Sequence, residues 1–161
     1  MMVSEISTDF KFELEKQIEG EVRLDAASRI LYSTDASIYQ VEPLGVVFPR
    51  VHDDLIAILE MCSEYNIPVL PRGSGSSLAG QTVGEALVID CSRYLNKIEE
   101  INPEDRSAIV QPGLVLSTFN QALSKHNLQF GPDPASADRA TLGGIFGNNS
   151  TGAHSILFGM A

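Results

Sequence analysis

The sequence has few basic residues and few cysteines. Its 11 lysines and arginines are scattered among 21 aspartates and glutamates, and the formal net charge is −10 at pH 7. A nucleic-acid-binding surface needs clustered Lys and Arg side chains, so this charge argues against a nucleic-acid partner. Cys62 and Cys91 belong to no CxxC motif and have no nearby His pattern. They indicate two reduced thiols, and no metal site is predicted.

Long apolar segments are also absent from the sequence. No apolar run approaches the roughly 20 residues that span a bilayer. Residues 1–16 have neither the basic start nor the apolar stretch of a signal peptide. We therefore expect a cytoplasmic protein without a transmembrane segment. The 161 residues, 43% of them hydrophobic and 20% charged, are typical of about one globular domain with a real core.

Hydrophobic spacing predicts a chain in which strands and helices alternate. Helices are predicted over 8–20, 52–66 and 115–127, and strands over 46–49, 67–71, 86–90, 96–102 and 106–113. The second predicted helix is expected to have Asp53 as its N-cap. Leu55, Leu59 and Cys62 are expected to lie on one face of this helix. No regular element is predicted over 23–45 or from 131 onward. The class is α+β or α/β.

Residues 69–81 place a glycine- and serine-rich loop directly after a predicted strand, in which Val69 and Leu70 are expected to be buried. A Walker A loop is excluded because residues 66–96 contain no Lys. A GxGxxG dinucleotide turn is excluded because Leu78 stands at its third glycine and no helix fits before the next strand. The loop's N–H groups and Ser hydroxyls suit an anion nest, with Arg72 as an added cation. A flexible connection that binds nothing explains the composition about equally well.

A second glycine-rich stretch, residues 131–155, surrounds a short apolar island. Small polar residues on both sides of the island suit a ligand that is partly flat and apolar and partly polar. A disordered tail would have the same composition. His154 lies in this stretch, and the sequence leaves both a catalytic role and a plain surface role open for it.

Five motifs, taken in their order, resemble the FAD-linked oxidases of the vanillyl-alcohol oxidase superfamily, which have a PCMH-type FAD-binding domain. The motifs are residues 71–81, 110–113, 132–136, 140–144, and 149–152 followed by 158–159. The resemblance covers residues 45–161. Within this superfamily, the motifs most resemble those of the D-lactate dehydrogenase and glycolate oxidase branch.

The resemblance implies which residues hold FAD. Backbone and hydroxyl groups of residues 73–77 would bind the diphosphate, and the later motifs would line the rest of the cofactor. The implied FAD-binding residues are Arg72, Gly73, Ser74, Gly75, Ser76, Ser77, Gly80, Gln81, Asp133, Ser136, Thr141, Gly143, Gly144, Asn149 and Gly152. Some relatives attach FAD through a His where this chain has Ser76 and Ser77, so FAD is expected to be non-covalent.

The resemblance also implies a fold and a domain organisation. An α+β fold is expected, comprising the first part of a PCMH-type FAD-binding domain: a small α/β subdomain and the start of a second subdomain. Residues 1–44 would form an N-terminal extension with helical and irregular parts, and residues 45–161 a partial FAD-binding domain. Family members continue into a substrate domain, so the chain is expected to be an N-terminal fragment in which no catalytic residue can be assigned. Leu157 stands where many members have a basic residue.

The function implied is the FAD-binding portion of a flavin-dependent oxidoreductase that oxidises a 2-hydroxy acid such as D-lactate or glycolate. The substrate would bind through the missing domain, and any iron–sulfur clusters would lie in the missing C-terminal region. The fragment alone is expected to be inactive and to bind FAD weakly. It is also expected either to self-associate through unpaired strand edges or to be disordered near its end. The whole protein is expected in the cytoplasm or as a peripheral protein at the inner membrane face. A non-catalytic nucleotide- or anion-binding module and a stable fold without a ligand are the alternatives.

Overall fold

Helices and strands alternate along residues 6–161, the part of the chain that this computed structural model describes. Contacts divide the chain into two compact units, residues 1–94 and 95–161. The first unit contains α1 (Thr8–Gln17), β1 (Glu21–Arg23), α2 (Ala26–Leu31), β2 (Gly45–Phe48), α3 (His52–Glu64), β3 (Val69–Arg72) and β4 (Leu87–Asp90). The second contains β5 (Ile98–Asn102), β6 (Ser107–Val110), α4 (Leu116–Leu123), a 3₁₀ turn (Ser124–His126), α5 (Leu142–Gly147) and α6 (Ser155–Phe158). The expected α+β class is confirmed.

The first unit is built on a four-stranded sheet with the order β1-β2-β4-β3. Strands β2, β4 and β3 are parallel, and β1 runs antiparallel to β2. Because parallel strands end at the same edge of a sheet, Phe48, Arg72 and Asp90 all lie at its carboxyl edge. The glycine- and serine-rich loop leaves the sheet from this edge.

Alternating side chains of β2 contribute to hydrophobic clusters on the two faces of the sheet. Val47 belongs to the main cluster, together with Phe10 of α1 and Ile58 of α3. Val46 and Phe48 belong to a smaller cluster on the other face. The sheet is therefore buried on both faces, as the continuous apolar runs of its strands predict.

Helix α3 forms where its spacing predicts, but the expected cap and buried face were partly wrong. The N-cap residue is Val51, not Asp53. Asp54, which is buried, accepts hydrogen bonds from the backbone N–H groups of Arg50 at 2.7 Å and Glu19 at 2.9 Å. Leu59 is 49% exposed, because Asp54 and Ile58 lie on the face of the helix that packs into the unit.

Residues 23–45, where no element was predicted, contain the last residue of β1 and all of α2. Strand β1 has only three residues, and α2 has six. Asp25 caps α2 by accepting the N–H of Ser28 at 2.9 Å. Elements this short show too few periods for a hydrophobic pattern to be recognised.

Strand β3 differs from the expectation that Val69 and Leu70 are buried. Both side chains are half-buried. The sheet order explains the difference, since β3 is an edge strand, whereas β4 lies between two neighbours and buries all four of its residues.

Glu21, the first residue of β1, is the centre of a charged cluster. Its carboxylate accepts a hydrogen bond from the Tyr94 hydroxyl at 2.5 Å and one from Arg23 at 3.0 Å. Arg50 and Arg93 approach it at 3.5 Å. The Tyr94 hydrogen bond, and then Arg23 and Arg93, lower the pKa of Glu21 from its ordinary 4.5 to about 2.

The second unit begins with a β-hairpin and closes around its own apolar cluster. Strands β5 and β6 lie within two predicted strand segments and pair antiparallel, with an irregularity between Ile98 and Glu100. Leu116, Phe119 and Leu123 form the buried face of α4. The short helices α5 and α6 were not predicted, because glycines within α5 and the polar residues around both helices obscure their pattern.

Both cysteines are free thiols. Cys62 is buried in the main cluster and Cys91 is half-buried. Burial raises the pKa of each thiol to about 11, and the neighbouring Asp90 charge adds to the effect at Cys91.

Residues 6–161 contain neither a bilayer-spanning helix nor a cluster of metal ligands. None of their helices has both the length and the apolar character needed to cross a bilayer. Within the same residues, no three His, Cys, Asp or Glu side chains come together as metal ligands.

Candidate functional site

The loop between β3 and β4 carries a series of backbone donors. Across the described residues 6–161, nothing in the chain accepts a hydrogen bond from the N–H groups of residues 73–77. Gly75 has φ +68° and Gly80 has φ +77°, in the left-handed region that side chains with a Cβ disfavour. All residues of 73–81 are exposed or half-buried. Successive available N–H groups of this kind suit the oxygens of a diphosphate.

Arg72 holds the start of this loop in place. Its guanidinium donates hydrogen bonds to the carbonyl oxygens of Thr34 at 2.7 Å, Thr82 at 3.0 Å and Tyr32 at 3.3 Å. It also lies over the Tyr32 ring, 5.1 Å from its centroid. Sequence reasoning identified Arg72 but not its partners, because a carbonyl oxygen gives no signal in a sequence.

The second half of the loop is closed by a contact between two predicted site residues. The Ser77 hydroxyl donates to Oε1 of Gln81. The Gln81 N–H lies 3.4 Å from the Ser77 Oγ. This contact holds residues 77–81 in a tight turn, which directly follows the segment 73–77 with its available N–H groups.

In the second unit, Asp133 and Gly152 of the predicted site lie in direct contact. A Cβ atom on Gly152 would lie 2.2 Å from the carbonyl oxygen of Asp133, so only glycine fits there. The Asp133 carboxylate accepts the backbone N–H of His154 at 2.9 Å and contacts its ring Nδ1 at 2.5 Å. These two interactions, the backbone one first, lower the pKa of Asp133.

Thr141, Gly143 and Gly144 come together at the start of α5. Thr141 is buried, and its hydroxyl caps the helix by accepting the Gly144 N–H at 3.3 Å. The N–H of Gly143 donates to the Pro112 carbonyl at 2.8 Å, and a Cβ on Gly143 would lie 2.7 Å from the Pro112 ring. Thr141 and Gly143 therefore shape the segment, while Gly144 is exposed.

Ser136 and Asn149 lie before and after this helix. The Ser136 carbonyl accepts the N–H groups of Arg139 at 2.8 Å and Ala140 at 2.7 Å, which forms a turn. Asn149 is exposed and has φ +48°, a left-handed conformation that Asn tolerates better than most residues. His154, for which the sequence left two roles open, is the hydrogen-bond partner of Asp133. Because the two residues are 21 positions apart in the sequence, no local pattern indicates this pairing.

The comparison with protein families gives one match over most of the chain. The matching family is described as an FAD binding domain, and its model covers residues 43–161. The chain belongs to this family. As a member of this FAD-binding-domain family, it has FAD as its cofactor, as the resemblance implied.

The curated relatives of this chain include dehydrogenases and an oxidase subunit. D-2-hydroxyglutarate dehydrogenase of Escherichia coli (strain K12) is 35% identical over 161 residues, 98% of this chain and 16% of that protein. Glycolate oxidase subunit GlcD of Bacillus subtilis (strain 168) is 36% identical, over 96% of this chain and 34% of that protein. The mitochondrial D-lactate dehydrogenase [cytochrome] of Kluyveromyces lactis is 34% identical, over 84% of this chain and 24% of that protein. The chain thus spans 16 to 34% of the length of these relatives.

Solved structures show the same fold. Alkyldihydroxyacetonephosphate synthase matches with a TM-score of 0.86 and 23% identity, over 99% of this chain and 33% of that one. p-Cresol methylhydroxylase matches with a TM-score of 0.74 and 16% identity, over 94% of this chain and 32% of that one. The expected fold, the first part of a PCMH-type FAD-binding domain, is confirmed.

Proposed function

We propose that this chain is the FAD-binding part of an oxidoreductase that oxidises a 2-hydroxy acid, and that it binds FAD without a covalent bond. The observation that carries the proposal is the row of N–H donors at residues 73–77, none of which has an acceptor within residues 6–161. The relatives support the substrate class, because D-2-hydroxyglutarate, glycolate and D-lactate in their names are all 2-hydroxy acids.

Within the first unit, the N–H groups of 73–77 and the hydroxyls of Ser74 and Ser76 bind the diphosphate of FAD, while the Ser77 hydroxyl donates to Gln81. The positive φ of Gly75 turns the backbone so that this loop can approach an anion closely. Arg72 adds a positive charge beside the loop and fixes its start through three carbonyl bonds. Gly80 and Gln81 complete the loop.

Within the second unit, the predicted residues divide into two kinds. The exposed Gly144 and Asn149, together with the half-buried Ser136 and Asp133, contact the cofactor. Thr141, Gly143 and Gly152 keep the backbone in the shape that allows these contacts, since two of them are tightly packed glycines and the third is a helix cap.

When bound, FAD would supply the redox chemistry, since it can accept a hydride from the carbon that bears the substrate hydroxyl. The residues of this chain bind and orient the cofactor; groups that bind the substrate belong to a part of the whole protein outside residues 1–161. We propose residues 45–161 as the portion of the FAD-binding domain and residues 1–44 as an N-terminal extension of it.

Self-association is a further part of the proposal. Strands β1 and β3 are the edges of the sheet in the first unit, and edge strands are templates for pairing with another chain. Sedimentation velocity at two protein concentrations tests this, and a single monomeric species at both would contradict it.

Titration of the chain with FAD tests the cofactor part of the proposal. We expect saturable binding of FAD in the high micromolar range and competition by ADP, which has the diphosphate. FMN should compete less, because it lacks that group. FAD binding that ADP fails to reduce would contradict the assigned loop.

The complete protein tests the substrate class. Anaerobic addition of D-lactate, glycolate or D-2-hydroxyglutarate to the flavin-loaded protein should bleach the flavin absorbance for at least one of them. A matched series of 3-hydroxy acids is the control. Absence of bleaching by every 2-hydroxy acid would overturn the proposed substrate class while leaving FAD binding intact.

A further inference from the structure

Residues 32–40, which we call the brace, contact the candidate FAD loop along its length. The carbonyl of Thr34 accepts from Arg72 at the start of the loop, at 2.7 Å. The N–H of Ala36 donates to the carbonyl of Gly75 in the middle of the loop, at 3.0 Å. Both contacts use the backbone of the brace, so its conformation and that of the loop are coupled.

Asp35 connects the brace to the end of the loop. Its Oδ2 accepts a hydrogen bond from the Thr82 hydroxyl at 3.0 Å and lies 3.4 Å from the Thr82 N–H. Its Oδ1 accepts the N–H of Ser37 at 2.8 Å, which forms a local turn in the brace. One half-buried carboxylate thus ties a turn of the brace to the residue where the loop returns towards β4.

Tyr39 supports the loop from a third position. A Cβ atom on Gly80 would lie 2.6 Å from Cδ2 of the Tyr39 ring. The brace itself is closed by a bridge between Thr34 and Gln40. The loop therefore has contacts to the brace at its start, its middle and its end.

The N–H groups of 73–77, by contrast, have no acceptor within the described chain. A glycine- and serine-rich segment whose N–H groups form no hydrogen bonds samples many conformations unless other contacts hold it, and ordering it on binding reduces affinity. Contacts that order the loop before the cofactor binds avoid this loss of affinity. The brace supplies such contacts from residues that the family match, which begins at residue 43, does not include.

We propose that the brace is the positioning element of the FAD loop, and that Asp35 and Thr82 are positioning residues for the cofactor diphosphate. The proposal rests on the proposed FAD-binding role of the loop. It extends the functional FAD-binding unit upstream to at least Tyr32. Asp35 and Thr82 need not touch the cofactor; they act by fixing the backbone that does.

Affinity measurements on Asp35→Ala, Thr82→Val and the double variant test this proposal. Each single variant should raise the Kd for FAD and for ADP about tenfold, the effect of losing a hydrogen bond to a charged group. The double variant should be little worse than either single one, because both remove the same contact. Thr82→Ser keeps the hydroxyl and should bind like the parent. Asp105→Ala, which removes a carboxylate from the β5–β6 turn, is the control.

Hydrogen exchange separates positioning from general stability. In Asp35→Ala and Thr82→Val, the Ala36 amide, which donates to the Gly75 carbonyl, should exchange faster while the melting temperature stays close to the parent value. Unchanged exchange at Ala36 together with unchanged Kd values would overturn the proposal. Additive effects in the double variant would also overturn it, since the two residues would then act separately. A parent chain that binds neither FAD nor ADP would overturn the proposed function instead, and the exchange rates would decide the role of the brace alone.

Discussion

The Cα of Gly75 lies so close to the Arg72 side chain that a Cβ atom on Gly75 would be 2.5 Å from Nη2 of the guanidinium. Arg72 cannot easily move away, because its guanidinium is bonded to three carbonyl oxygens. The loop conformation and the position of the guanidinium therefore depend on each other, and a side chain at residue 75 disturbs both.

Gly75→Val should lose most of the FAD affinity while the sheet remains folded. The substitution adds a clash with Arg72 to the strain of a β-branched residue at φ +68°. Flavin binding is measured by fluorescence quenching and folding by thermal melting. Gly84→Ala is the control, because its Cβ would make only an ordinary 3.6 Å contact with Leu70. FAD binding by Gly75→Val at the parent affinity would contradict the role of the loop.

Ser76→Ala should have a smaller effect than Gly75→Val. The variant removes one hydroxyl beside the diphosphate, and a hydrogen bond to a charged group contributes about 1.5–3 kcal/mol. The Kd for ADP should rise in the same proportion as the Kd for FAD. A loss confined to FAD would place Ser76 near another part of the cofactor.

Glu21→Gln should destabilise the chain at neutral pH and have less effect in acid. The pKa of Glu21 is lowered from 4.5 to about 2 in the folded chain, so its contribution to stability is complete above pH 4.5. It is lost as the pH falls towards 2. Urea unfolding midpoints of parent and variant should therefore differ at pH 7 and converge between pH 4.5 and 2. Glu60→Gln, on the exposed side of α3, controls for the removal of one negative charge.

Two glycines of the second unit should respond oppositely to alanine. Gly152→Ala forces a Cβ to within 2.2 Å of the Asp133 carbonyl oxygen, and overpacking of this kind destabilises by about 1–3 kcal/mol. Gly147→Ala adds a Cβ that meets nothing within 4 Å, and alanine in a helix is favoured over glycine by up to about 1 kcal/mol. Urea denaturation measures both. Equal stabilities would show that the Asp133 contact is not fixed.

Both thiols should resist modification in the folded chain. The pKa of each is raised to about 11 by burial, so the reactive thiolate is scarce at pH 7.5. Ellman's reagent should react with Cys62 and Cys91 slowly in buffer and quickly in 6 M guanidinium, which is above the denaturation range of ordinary domains. Immediate reaction of either thiol in buffer would contradict the packing around it.

The sequence was informative where residues form long or ordered patterns. Helix α3 and the β5–β6 hairpin follow from apolar spacing and from the turn between the two strands. The FAD loop follows from its glycines and serines, and the order of five motifs identifies the family. These signals are local, so they can be recognised in one amino-acid sequence.

The remaining features depend on contacts between distant residues. Nothing in the order of residues shows that Asp35 binds Thr82 or that Asp133 binds His154, because a tertiary fold brings these pairs together. Leu59 is exposed because it lies on the solvent-facing side of α3, and Val69 is half-buried because β3 is an edge strand. Apolar spacing alone does not show which side of a helix faces solvent or which strand lies at the edge of a sheet.

The sheet order has a consequence for the synthesis of this chain on the ribosome. Strands β2 and β3 do not pair with each other; each pairs with β4, the last of the four strands to be made. Until residues 87–90 have left the ribosome, β3 has no partner and the FAD loop has no fixed second end. Cofactor binding during translation must therefore follow the insertion of β4, and a chaperone that shields β2 and β3 would act before that point.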